Sequence, residues 1–274
     1  MKARALLIAA LPLALTGCPK EREEPLTQAE AQQALEESSI SAEAEVLTSG
    51  TIEISTNFTI GQAVEAAAEE LQAFIESQLP CAEITLSPGS LVVEYGALPG
   101  ECTYHGQTYS GTHTITVQRN EEAEVVVNHE WDELSNQRLS VTGEATVTWS
   151  LADQTRHVVH ELTWTRLSDG RTGTGAGDRT QRALSGGILE GIQVDGTRTW
   201  DGQAGHWDLA IDGVQMRWTD PVPQAGSYTL ATPFDKSLGL AFERQDADTI
   251  EVTVTSGARH FSFLVSQAGD VNEA

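Results

Sequence analysis

From Ile84 to Val265 the chain alternates, residue by residue, between apolar and polar side chains. Tyr109, His113, Ile115 and Val117 share one parity, and Ser110, Thr112, Thr114 and Thr116 hold the other. The pattern continues through Val125, Val127 and Trp131, and then through Leu139, Val141, Ala145, Val147 and Trp149. It returns in Leu238, Leu240 and Phe242, in Ile250, Val252 and Val254, and in Phe261, Phe263 and Val265. Side chains on a strand point to opposite faces in turn, so each run makes a strand with one apolar face. One-faced strands at short spacing are antiparallel and form a meander of roughly a dozen strands.

Such a sheet must hide its apolar face. Thr59-Ile60-Gly61-Gln62 has capping-box spacing, and Val64, Ala67, Ala68, Leu71, Phe74, Ile75 and Leu79 recur at helical spacing until Pro80. The spacing predicts an amphipathic helix over 59–80. The expected fold is mainly β, a curled or barrel-like antiparallel sheet packed on that helix. A β-sandwich is the alternative. A second capping box, Thr27-Gln28-Ala29-Glu30, opens a weak helix to about Glu37, and Thr51 to Thr56 reads as a first strand. The expected divisions are 1–17 export signal, 18–26 tether, 27–58 weak helix and first strand, 59–80 helix, 81–268 β-domain and 269–274 tail. Asp195-Gly196 and Asp212-Gly213 read as hairpin turns, and the glycine-rich stretch 168–178 as a loop.

The N-terminus has Lys2 and Arg4, then an apolar run from Ala5 to Leu15, too short to span a membrane, which takes about 20 apolar residues. The run ends Leu15-Thr16-Gly17-Cys18 and resembles the lipobox of bacterial lipoproteins. The resemblance covers residues 1–18 only. It implies cleavage before Cys18, acylation of Cys18 and, with Pro19 following, sorting to the outer membrane on its periplasmic or surface face. Processing would leave 257 residues. Loss of Lys2 and Arg4 takes the cations from 16 to 14 against 40 acids, and the net charge from -24 to -26. That charge argues against nucleic acid and against a basic membrane patch, so the lipid anchor is the expected membrane partner. With Cys18 acylated, Cys81 and Cys102 remain, and in an exported chain they are expected to form a disulfide.

No constellation of residues makes a convincing catalytic centre. His157 and His160 are three apart, hence on opposite faces of a strand, and fit no zincin spacing. Glu130 and Asp132 belong to the polar parity. Gly170 to Gly177 lacks the Lys-Ser/Thr of a phosphate loop. Asp169, Asp178, Asp246 and Asp248 lack calcium-loop spacing. No metal, cofactor or catalytic residue is therefore expected, and no ligand site can be assigned. Trp149, Trp207 and Trp218 fall on the apolar parity, and Trp164 and Trp200 are the candidates for exposed aromatics. The expected function is a non-catalytic binding or scaffolding domain. One alternative is a carrier of an acyl or other apolar ligand, since a half-barrel around a helix is similar in outline to lipoprotein-carrier folds. The second is an envelope hydrolase. A filled interior would favour the scaffold, and an apolar cavity of several hundred Å³ the carrier.

Overall fold

The computed structural model describes residues 24–56, 64–104, 107–119, 125–150, 155–217, 219–267 and 270–273. Cys18, the 59–62 capping box and Trp218 lie outside them.

Two helices, α1 (Gln28–Thr56) and α2 (Val64–Gln78), precede the sheet. The first strands are β1 (Glu83–Ser87), β2 (Ser90–Tyr95) and the small hairpin β3 (Thr103–Tyr104) and β4 (Gln107–Thr108). Then come β5 (Ser110–Arg119), β6 (Val125–Ser135), β7 (Leu139–Ser150), β8 (Thr155–Arg166) and β9 (Thr172–Leu184). The long pair β10 (Gly187–Gly202) and β11 (Gly205–Arg217) follows. The chain ends in β12 (Ala225–Ala231), β13 (Ser237–Arg244), β14 (Thr249–Ser256), β15 (Arg259–Ser266) and β16 (Val271–Glu273). Leaving out β3 and β4, these make one antiparallel sheet of 14 strands in sequence order, open between the edges β1 and β16. The expected fold class is what forms, as a single sheet and not as two layers. The tail expected from 269 onward contains β16, which pairs with β15.

The alternation determines which face is inside. On β8, Val158, His160, Leu162 and Trp164 are buried, while His157, Val159, Glu161 and Thr163 are exposed. On β6, Trp131 and Leu134 both point inward although they are three apart. A bulge at Asp132-Glu133, with Glu133 at φ 52°, restores the phase. The two Asp-Gly pairs also serve bulges and not turns. Asp195 on β10 faces both Asp212 and Gly213 on β11, and the Gly213 N–H donates to Asp195 Oδ1 at 2.7 Å. A bulge, like a tight hairpin, uses φ > 0, here 56° at Gly213, so the dipeptide alone does not separate them.

The glycine-rich stretch is mostly strand. Gly173, Gly175 and Gly177 share one face of β9, where side chains from β8 lie flat on them. A Cβ would come within 2.7 Å of the Trp164 ring at Gly173 and 2.2 Å of the His160 ring at Gly177. The glycines make room for those rings.

Helix α2 buries Ala68, Leu71, Ile75 and Leu79 as its stripe predicts, and Phe74 is half-buried. It packs on β1, β2, β5 and α1, at the first end of the sheet. Next to it Cys81 and Cys102 are joined, with Cα atoms 5.3 Å apart. Cys81→Ser is expected to cost about 3 kcal/mol, the closure entropy of a loop this size, measured as a lowered midpoint in denaturant under non-reducing conditions.

Helix α1 departs most from expectation. It continues to Thr56, through the segment expected as a strand. The reciprocal capping box forms: the Thr27 N–H donates to Glu30 Oε2 at 2.7 Å, and the Glu30 N–H to Thr27 Oγ1 at 3.3 Å. From there α1 crosses the inner face from β14 to β6. At one end the Leu26 N–H donates to Ser256 Oγ at 2.9 Å, and at the other Trp131 Nε1–H donates to Thr51 Oγ1 at 2.9 Å. Its 29 residues span roughly 44 Å at 1.5 Å per residue. The eight strand steps from β6 to β14 need roughly 38 Å. One face of α1, with Ala34, Glu37, Ser41, Ala44 and Thr48, is buried. The adjoining face, with Ala31, Ser38, Ala42 and Ser49, borders a cavity. The two faces adjoin, on the side of α1 that meets the sheet.

Candidate functional site

The cavity lies between α1 and the inner face of β8 to β14 and measures about 870 Å³. It exists because α1 offers it small side chains, Ala31, Ala34, Ser38, Ala42, Ser49 and Gly50. Larger residues there would fill the gap. Val46 and Met216 border the cavity and are 52% and 38% exposed, which marks its mouth.

Strand register builds the sheet wall in cross-strand rows. One row runs Val158, Arg179, Gly196, Ile211, Tyr228, Leu240, Val254 from β8 to β14. The next runs His160, Gly177, Arg198, Leu209, Leu230, Leu238 from β8 to β13. A third begins Arg156, Gln181, Val194. The wall is therefore polarised. Its β8–β10 end carries Arg156, Arg179 and Arg198, and its β11–β14 end is aliphatic apart from Tyr228.

The three cations are held differently. Arg179 donates to Glu45 at 2.5 Å, and His160 Nε2 lies 2.7 Å from the other oxygen of that carboxylate. Glu45 and His160 are both buried. Burial alone would raise the Glu45 pKa, but the Arg179 charge and the His160 contact outweigh it and hold the carboxyl at about 2. Arg156 donates to Gln181 and lies over the Trp149 ring, 5.5 Å from its centroid. Arg198 lies over Trp200 at 4.9 Å, and its buried Nε–H meets no acceptor. Burial pulls the Arg198 pKa below its ordinary value.

Toward the first end of the sheet is a buried polar chain. Tyr95 Oη and His113 Nδ1 are 3.1 Å apart, and His113 Nε2 and His129 Nδ1 are 3.0 Å apart. His129 stacks on Trp131 with ring centroids 5.8 Å apart. Both histidines are under 2% exposed. Burial lowers the His113 pKa well below normal and the His129 pKa to about 3, so both stay neutral.

The residues singled out from sequence are dispersed. His157 is on the outer face, 2.6 Å from Asp178, while His160 is inside. Glu130 and Asp132 are exposed on the outer face, away from His160. Glu130 pairs in register with Glu144, and Glu144 with Glu161. Asp169 holds Arg166, and Asp246 accepts from the Asp248 N–H at 2.9 Å. No group of three or more potential metal ligands exists among the described residues. Trp164 and Trp200, the candidates for exposed aromatics, are buried at 4% and 1%. Trp200 stacks on the fully buried Trp207 at 5.8 Å, and Trp149 is half-buried. Sequence reasoning raised a cavity only as the mark of the carrier alternative, and it missed the arginines. One signal was present: Arg156, Arg179 and Arg198 fall on the inward parity of their strands.

Among the described residues no helix is long and apolar enough to cross a membrane, which says nothing of strands. Comparison of the chain with known protein families, curated proteins and solved structures gives no match.

Proposed function

We propose that this protein is a non-catalytic carrier that holds an acyl or other apolar ligand between α1 and the sheet. The supporting observation is the cavity of about 870 Å³ beneath a helix of small side chains. Its size falls in the range of roughly 300–1,000 Å³ usual for small-molecule sites. A scaffold has no use for a void that forfeits packing contacts. The dispersal of His157, His160, Glu130 and Asp132 removes the constellation on which a hydrolase reading would rest.

The test is binding of the neutral fluorophore N-phenyl-1-naphthylamine to the full chain. Saturable fluorescence enhancement is expected, and Ala42→Phe, which fills the cavity, should weaken it at least tenfold without lowering the melting temperature. Absence of binding to the wild-type chain would return the reading to a scaffold.

The lipobox resemblance supports an envelope location with an anchor at Cys18. Cys18→Ser is expected to leave the protein unprocessed or soluble in the periplasm. A variant that is processed normally and still fractionates with membranes would refute acylation there.

A further inference from the structure

We infer that the ligand is a fatty-acid-like amphiphile, whose carboxylate docks on Arg198 and whose acyl chain lies along the aliphatic wall of β11 to β14. The inference rests on the carrier reading and specifies its ligand.

Charge distribution is the first support. The chain has 16 cations against 40 acids, yet among the described residues the cavity is bordered by three arginines and by no carboxylate. Apolar ligands need no cation, and placing three beside a hydrophobic void opposes burial. An anionic head at that end compensates the cost.

The state of each arginine is the second. Arg179 is engaged by Glu45 and His160, and Arg156 by Gln181. Among the described residues Arg198 makes no hydrogen bond or ion pair; it lies over Trp200, and the charges of Glu45 and Arg179 act on it from beyond contact distance. One uncommitted guanidinium fork matches one planar pair of oxygens, the geometry of a carboxylate. Glu45, which pairs with Arg179 and His160, attracts Arg198 only at longer range, so the fork itself carries no carboxylate. Tyr228, two strands along on the neighbouring row, is close enough for the Arg198 charge to act on it.

Shape is the third. Arg198 begins a run of apolar neighbours, Leu209, Leu230 and Leu238, and the parallel row adds Ile211, Leu240 and Val254. From β10 to β14 is four strand steps, roughly 19 Å. The site thus has one cationic end and one long apolar end. A wholly apolar ligand would leave the first unused, and a small anion the second.

The experiment is displacement of N-phenyl-1-naphthylamine from the full chain by laurate, by 1-dodecanol and by dodecyl phosphate, in wild type and in Arg198→Met. Laurate is expected to displace the probe at a concentration about tenfold or more below that of 1-dodecanol, the advantage of a charge-assisted pair in a partly desolvated site. Arg198→Met should abolish that advantage and leave displacement by 1-dodecanol unchanged, which also reports that the variant is folded. Equal displacement by laurate and 1-dodecanol in wild type would overturn the inference and leave the carrier reading intact. Displacement by dodecyl phosphate well below laurate would overturn the carboxylate. A probe that does not bind wild type would sink both. If the variant does not fold, the wild-type ratio of laurate to 1-dodecanol still decides.

Discussion

Replacing Glu45 by alanine is expected to destabilise the protein by about 3–5 kcal/mol, the cost of leaving a buried charge without its partner. The Arg179 side chain is only 13% exposed, so its guanidinium has little water to replace the lost carboxylate. The loss should register as a lower denaturation midpoint with little change in slope. Arg138→Ala, which removes the more exposed pair between Arg138 and Glu43 at 2.8 Å, should change stability by less than about 1 kcal/mol. Similar losses from the two variants would mean that Glu45 is solvated in the folded protein.

Acid should unfold this protein earlier than its carboxylates alone would. His113 and His129 are neutral when folded, with pKa values depressed by burial, and both are free to take up a proton when unfolded, near pH 6.5. Below that value the unfolded chain binds more protons than the folded one. Their contribution is therefore complete above about pH 7 and declines as pH falls from 6.5 toward about 3, where folded His129 protonates. Each histidine should remove about 2 kcal/mol between pH 6.5 and pH 5, from a total stability of about 5–15 kcal/mol. Glu45, held at about 2, adds a loss in the same direction below its unfolded value of 4.5. Urea midpoints measured from pH 8 to pH 4 should fall steeply below pH 6.5. His113→Phe combined with His129→Phe should flatten that fall even if it lowers stability at pH 8. An unchanged slope in the double variant would mean that other groups drive the acid transition.

The sheet was legible because each strand meets one rule, apolar inside and polar outside, which a periodicity of two exposes directly. Helix α2 was legible for the same kind of reason, since Leu71, Ile75 and Leu79 advertise a single apolar stripe. Helix α1 hid because its partners are charges. Glu37, Ser41, Glu45 and Thr48 lie on its buried side, and Glu37 and Glu45 are satisfied by Arg171 and Arg179, more than a hundred residues away. A periodicity of apolar residues registers poorly on a face where Ile40, Leu47 and Ile52 are interspersed with ion pairs and small side chains. The cavity was hidden with the helix, because its volume is set by what Ala34 and Ala42 do not fill. Arg198 carried only its inward parity as a mark. Its meaning depends on Gly177 and Leu209 beside it in register, and on the absence of a carboxylate within contact, neither of which is a property of neighbouring sequence.

The two ends of the open sheet carry separate duties. Helix α2, the disulfide and the stacked histidines sit with β1 to β7, whereas the aliphatic wall of the cavity belongs to β11 to β14. On the proposed carrier reading, a substitution such as Leu240 to a bulkier or smaller residue would retune chain-length preference while the opposite end, untouched, keeps the polypeptide folded. On that reading, cargo and architecture would be open to change almost independently of each other.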